Sequence, residues 1–257
     1  MSTLSVKPRT PNIDLPTINV VEAARPLAWL SKGWSDLIHA WPLSLAAGIL
    51  FTLAGYGLLN YAGPRSHLIL TLASGFLLVA PFLAIVFYEL SRRREQGAAA
   101  GRYFQSLRPN LGSIGLFAAL LAFILSSWER LSAILVALFL KSDYAGDGPF
   151  TLQGLFATGD PVFLTAYAIA GAALAVLVFA LSVVSLPMLM DRKTDIATAI
   201  VTSLWVVRSN PRAMLVWAAI IAASTALATV LWMVPLILAF PLLGHATWHA
   251  YRELVGD

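Results

Sequence analysis

Long apolar runs separated by short charged segments set the pattern of this chain. Between one charged residue and the next lie 28 positions (37 to 64), 23 (66 to 88), 20 (109 to 128), 30 (161 to 190) and 39 (213 to 251). A helix that crosses the hydrocarbon layer takes roughly 20 residues at about 1.5 Å each, so every run predicts at least one membrane helix. As one helix the last run would be roughly 58 Å long, nearly twice the roughly 30 Å layer, and it therefore predicts two spans with a turn between them. The run from 161 to 190 is too short for two and predicts one tilted or protruding helix. The total is six.

Shorter amphipathic segments precede every second span. Pro26 opens a helix whose Leu27, Leu30, Trp34, Leu37, Ile38 and Trp41 fall on one face, with Lys32, Ser35, Asp36 and His39 elsewhere, a pattern suited to the headgroup plane. Pro42 begins span one, which ends near Tyr61 before a Gly63-Pro64 turn, and span two runs from about His67 to Glu89 with Pro81 inside. Tyr103, Phe104 and Leu107 give a second stripe before span three, and Ile196, Ile200, Leu204 and Val207 a third before span five. The expected fold is all-α: a polytopic membrane bundle of six helices in three parallel two-helix repeats, each preceded by a cytoplasmic interfacial amphipathic helix, near residues 27 to 40, 96 to 108 and 194 to 208. Residues 1–25, with Pro8, Pro11 and Pro16, read as a flexible cytoplasmic arm, and residues 26–257 as a single transmembrane domain.

Three span ends share a plan. Pro81-Phe-Leu-Ala-Ile-Val-Phe-Tyr-Glu-Leu-Ser-Arg92 and Pro241-Leu-Leu-Gly-His-Ala-Thr-Trp-His-Ala-Tyr-Arg252 each set an arginine eleven positions after a proline, and Pro187-Met-Leu-Met-Asp-Arg192 shortens the interval to five. Elsewhere, Trp128-Glu129-Arg130 reads as an aromatic belt and a charged boundary, followed by a second, shallow helix. Asp160-Pro161 reads as a helix start, with Asp as N-cap and Pro in the first turn. The loop before it, with Asp143 and Asp147, lacks the ligand run of a calcium hand.

Composition agrees with the pattern: 59% of the 257 residues are hydrophobic and only 12% charged. The absence of cysteine excludes disulfides, iron–sulfur clusters and cysteine-bound zinc. A formal charge of +4 would point to nucleic acid were the basic residues scattered, but 14 of the 17 fall on one side once both termini are placed in the cytoplasm. That asymmetry is the positive-inside rule. It sets the orientation of a multi-pass membrane protein, with anionic lipids as the counter-charge and no nucleic-acid partner. The residues available to face lipid or a partner membrane complex are Arg92, Arg93, Arg94, Arg192, Lys193, Arg208, Arg212 and Arg252.

Candidate chemistry is sparse. His245 and His249 lie four apart and so share one helical face. With Glu89, which precedes Arg92 as His249 precedes Arg252, they form a candidate metal or haem set, though the Glu that a zinc protease places beside its first His is missing. The bland alternative is a structural polar cluster of Glu89, Asp191, His245, His249 and Tyr251 at the inner end of the bundle. A carboxylate beside an imidazole suits an ion pair as well as a proton or metal site. No Gly-x-Ser-x-Gly, P-loop or dinucleotide fingerprint is present, so no catalytic residue is assigned and no enzyme activity is expected.

On the span-end motifs, with Ser203-Leu204 and Asn210-Pro211, the chain resembles a bacterial family known as domain of unknown function 2189, predicted integral membrane proteins. The resemblance covers nearly everything after the arm and is most specific at Pro241 to Arg252. It implies a six-helix inner-membrane protein and supplies no substrate, reaction, cofactor or partner. Three classes follow. The first is a non-enzymatic membrane component that engages lipid headgroups or a partner complex through its basic inner face. The second is a small-molecule carrier with helices broken at Pro81, Pro187, Pro235 and Pro241. The third is a metal- or haem-binding respiratory accessory protein. A carrier needs polar groups at mid-depth, where the chain offers chiefly Thr225, Ser182 and Ser74.

Overall fold

The computed structural model describes residues 15–62, 82–97, 105–139 and 160–256. Among them the chain is all-helical apart from an antiparallel bridge between Ile18 and Val255. The helices are α1 (Arg25–His39), α2 (Trp41–Ala62), α3 (Ile85–Glu95), α4 (Leu111–Phe139), α5 (Pro161–Ser182), α6 (Ser185–Asp191), α7 (Ile196–Ser209), α8 (Pro211–Val230) and α9 (Leu236–Leu254), with a 3-10 helix Gln105–Asn110 before α4. Most of the expected span two (residues 67–81), the aromatic pair Tyr103 and Phe104, the loop 141–159 and the first fourteen residues of the arm lie outside the described residues.

Three described stretches are long and apolar enough to cross a membrane: Leu107–Phe139, Pro161–Asp191 and Pro211–Ala228. A fourth is reached if Arg25–His39 and Trp41–Gly57, bent by 102° at their junction, count as one span. The 39-residue run does fold back. Trp232 and Met233, with φ of 55° and 65°, turn the chain between α8 and α9. Bulky residues at positive φ are uncommon and cost of order 1 to 3 kcal/mol each, which marks the turn as locally strained.

One sequence expectation is corrected. No separate shallow helix follows Arg130: α4 continues unbroken through Trp128, Glu129 and Arg130 to Phe139, because neither proline nor glycine falls between 116 and 139. Glu129 sits about 27 Å along α4 from Leu111, which still puts the charged pair near the edge of a roughly 30 Å layer. Beyond it, Ser132 Oγ and Tyr167 OH meet at 2.8 Å and Trp128 packs edge-on to Tyr167, tying α4 to α5.

The break between α5 and α6 has an identifiable cause. Pro187 has no N–H to offer Val183, so the helix interrupts at Val183-Val184. Ser203 of α7 covers the gap, accepting from Val184 N–H at 3.3 Å and donating to the Ala180 carbonyl at 2.7 Å. Broken backbone at membrane depth persists only where protein supplies such partners.

The centre of the molecule is α9, packed chiefly against α1, α2 and α3. Two glycines permit the approach. A Cβ on Gly33 would lie 2.7 Å from the backbone N of Ala246, and one on Gly48 only 2.2 Å from the carbonyl O of Ile237. In lipid, where helix association gains little from the hydrophobic effect, close backbone contact of this kind is a main source of packing energy. Against α9, α1 buries Trp29, Gly33, Asp36 and Leu37, while Leu27, Trp34 and Ile38 point outward. The arm is in part pinned rather than flexible: Asn19 N–H donates to the Leu254 carbonyl at 2.9 Å, Gly256 N–H to the Thr17 carbonyl at 2.8 Å, and Val21 N–H to Asn210 Oδ1 at 2.7 Å. Backbone pairing with the end of α9 holds residues 17–19, and the Asn210 side chain holds Val21.

Candidate functional site

The end of the bundle that carries the described parts of both termini gathers most of its charge around α9. Deepest is His245, fully buried, with Nε2 2.9 Å from Ser44 Oγ of α2 and Nδ1 2.8 Å from Ser91 Oγ of α3. A neutral imidazole has one donor and one acceptor nitrogen, so one serine donates to the ring and the other accepts from it. The Phe87 ring lies 5.3 Å from the imidazole, centroid to centroid.

One turn on, His249 Nε2 meets Asp36 Oδ2 of α1 at 2.8 Å, and the other oxygen of the same carboxylate accepts from Arg94 Nη1 at 2.6 Å. Asp36 thus joins α1, α3 and α9. Burial pushes its carboxyl up, but hydrogen bonds from His249 and Ser91, with the electrostatic pull of His249, outweigh burial and hold it below the ordinary carboxylate value.

The final turns of α9 add two clasps. Glu95 accepts from Trp248 Nε1 at 3.0 Å and from Arg252 Nε at 3.1 Å. Glu253 accepts from Trp29 Nε1 at 3.0 Å and from Arg25 Nε at 2.5 Å. On the far side, Tyr251 OH donates to Asp191 at 2.9 Å and accepts from Arg192 Nε at 2.9 Å. Arg92 bridges Asp191 at 3.3 Å and Glu89 at 3.5 Å, with Arg93 3.8 Å from Glu89.

Of the residues picked from sequence, Asp191 and Tyr251 are directly bonded, Glu89 reaches Asp191 through Arg92, and the two histidines line successive turns of α9. The carboxylate at His249 is Asp36, which the sequence reading left on the polar side of α1. Ser44, Ser91, Arg94, Glu95 and Glu253 were also missed as members. The available signal was the face Trp29, Gly33 and Asp36, where a small residue and an acid stand at helical spacing along one edge of the aliphatic stripe.

The metal expectation meets the geometry poorly. Among the described residues no three His, Asp or Glu side chains are grouped to hold an ion, His245, His249 and Glu89 included. Both nitrogens of His245 are already engaged by serines. The mid-depth polar groups named for a carrier turn inward on their own helices: Thr225 Oγ1 donates to the Ile221 carbonyl and Ser182 Oγ to the Val178 carbonyl, while Ser74 lies outside the described residues.

The basic residues divide into two groups. Arg92, Arg93, Arg94 and Arg252 are committed to acidic partners within the protein, and Arg192 to Tyr251. Lys193, Arg208 and Arg212 are exposed, with no ion pair among the described residues. Beside α9, a pocket of about 370 Å³ is lined by Arg25, Lys32, Glu95, His249, Arg252 and Glu253.

A chain with such apolar helices and a charge-bearing end has the build of a membrane protein, and comparison agrees. Residues 68–191 match the family of predicted integral membrane proteins DUF2189. The DUF2189 match takes in α3 to α6 and stops at Asp191, so the segment from Pro241 to Arg252, which looks most specific in the sequence, lies beyond it. No curated protein and no solved structure matches the chain.

Proposed function

We propose that this protein is a non-enzymatic component of the bacterial inner membrane, with six membrane helices in three parallel repeats and both termini cytoplasmic, whose basic end engages anionic lipid headgroups. The observation that carries the reading is the surface around the α7–α8 junction. Trp205 is 48% exposed, Arg208 lies three residues on along α7, and Arg212 follows just after the junction, both arginines free of ion pairs among the described residues. An indole at the level of cations that are not neutralised internally suits the headgroup layer, where tryptophan anchors and each basic residue contributes about 1 kcal/mol of attraction to an anionic surface. Exposed Leu27, Trp34, Ile38 and Trp41 at the α1–α2 bend support a second contact of the same kind. The lengths of α2 and α9, 22 and 19 residues, support the first and the last of the six spans.

The test is native mass spectrometry of protein extracted in mild detergent from membranes of mixed composition. Phosphatidylglycerol or cardiolipin retained in preference to phosphatidylethanolamine, and reduced severalfold in the combined Lys193→Gln, Arg208→Gln, Arg212→Gln variant, supports the reading. Equal retention of anionic and zwitterionic lipids, or a stoichiometric protein partner at that surface, overturns it.

A further inference from the structure

The pocket between α1, α3 and α9 is unusual in its charge arrangement. Three cations, Arg25, Lys32 and Arg252, share its wall with two carboxylates, Glu95 and Glu253, and with His249. The carboxylates grip the inner edge of each guanidinium: Glu253 takes Nε of Arg25, and Glu95 takes Nε of Arg252. Arg252 Nη1 makes a further, long contact of 3.5 Å with Asp191. Among the described residues no hydrogen bond uses either Nη of Arg25 or Nη2 of Arg252, and Lys32 is exposed without an ion pair. Terminal guanidinium nitrogens held from behind and left open in front are the fork that recognises tetrahedral oxyanions. His249 is turned to Asp36 and leaves the charge count of the wall to the other five residues. Three positive groups against two negative ones leave the wall net positive, the complement of a phosphate anion.

We propose that this pocket binds a phosphate ester, with Arg25, Lys32 and Arg252 as its oxygen donors and Lys32 as the residue that supplies the unbalanced charge. The inference deepens the headgroup reading by naming the chemistry recognised at one point on the same basic end, and it uses residues apart from Lys193, Arg208 and Arg212. Two sources carry the group, an anionic phospholipid and a soluble phosphate ester. Arg25, Lys32 and Asp36 lie on α1 roughly opposite Leu27, Trp34 and Ile38, so the pocket is open to water as well as to headgroups.

The experiment uses full-length protein in a neutral maltoside detergent, with thermal unfolding and native mass spectrometry as readouts. One arm titrates sodium phosphate and glycerol 1-phosphate against sodium chloride at matched ionic strength, and the other adds dihexanoyl phosphatidylglycerol. Saturable stabilisation or a 1:1 adduct in either arm, weakened roughly tenfold in Lys32→Gln and absent in Lys32→Glu, is the expected result, and the arm that responds identifies the source. Lys32 makes no ion pair within 4 Å among the described residues, and its charge acts on Glu253 from longer range, so neither variant removes a hydrogen bond or a close ion pair. The proposal is overturned if neither arm responds, or if both Lys32 variants respond as wild type does. Loss of lipid retention in the Lys193, Arg208, Arg212 variant with the phosphate response intact would separate this site from the broader reading.

Discussion

His249 Nε2 lies 2.8 Å from Asp36 Oδ2 across 213 residues of sequence, and through that contact the beginning of the chain is locked to its end. The same carboxylate takes Arg94 from α3, so one acid closes α1, α3 and α9 into a unit. Replacing it leaves a guanidinium and an imidazole facing each other without their anion. Asp36→Asn should cost about 3 kcal/mol, the scale for removing one member of a buried charged pair. Thermal unfolding of the purified protein in detergent is the check. An unchanged midpoint would mean that the clasp contributes little.

The acid limb of stability follows from the same group. Asp36 is held below its ordinary value of 3.8, and Asp195, which caps α7 through Thr198, is lowered too. For a depressed carboxyl the unfolded chain binds more protons, so the stabilisation is complete above the ordinary range and disappears as pH falls through the lower, folded value. The unfolding midpoint should therefore be insensitive to these groups above about pH 5 and drop below about pH 4. In Asp36→Asn the drop should be shallower, because one of the two carboxylates has been taken out.

Glycine substitutions should separate sharply by position. Gly48→Ala puts a methyl 2.2 Å from the Ile237 carbonyl, and Gly33→Ala one within 3.0 Å of the Ala246 backbone, so helix axes must move apart. Each should cost about 1 to 3 kcal/mol. Gly115→Ala, with nothing within 4 Å of the added carbon, should be neutral or slightly stabilising. Size-exclusion profiles and unfolding midpoints of the three variants give the comparison directly.

What could be read in advance follows the range of the physics involved. The fold-back inside residues 213–251, the Asp160 cap and the break at Pro187 are local consequences of length, capping and a missing N–H, and each is found where the sequence places it. The continuity of α4 past Arg130 was misread because two adjacent charges resemble a boundary, yet nothing there breaks a helix. Asp191 with Tyr251 was anticipated from the parallel span ends, whereas Asp36 with His249 was not. That pairing depends on Gly33 letting α1 lie against α9, a tertiary event with no periodic signature. Ser44 and Ser91 were invisible for a related reason: a serine in an apolar helix usually bonds to its own backbone, as Ser182 does, and only packing decides which ones turn to a histidine.

The central claim is that α8 and α9 are two antiparallel spans whose shared charged end faces the cytoplasm. Because the chain has no cysteine, single-cysteine labelling tests it cleanly. Trp232, 79% exposed in the turn between the two helices, and Ala24, exposed at the start of α1, are the positions to use. With a membrane-impermeant maleimide on intact spheroplasts, Trp232→Cys should be labelled at once and Ala24→Cys only after the membrane is permeabilised. Labelling of both from the same side, or of Ala24→Cys alone in intact spheroplasts, would contradict the account.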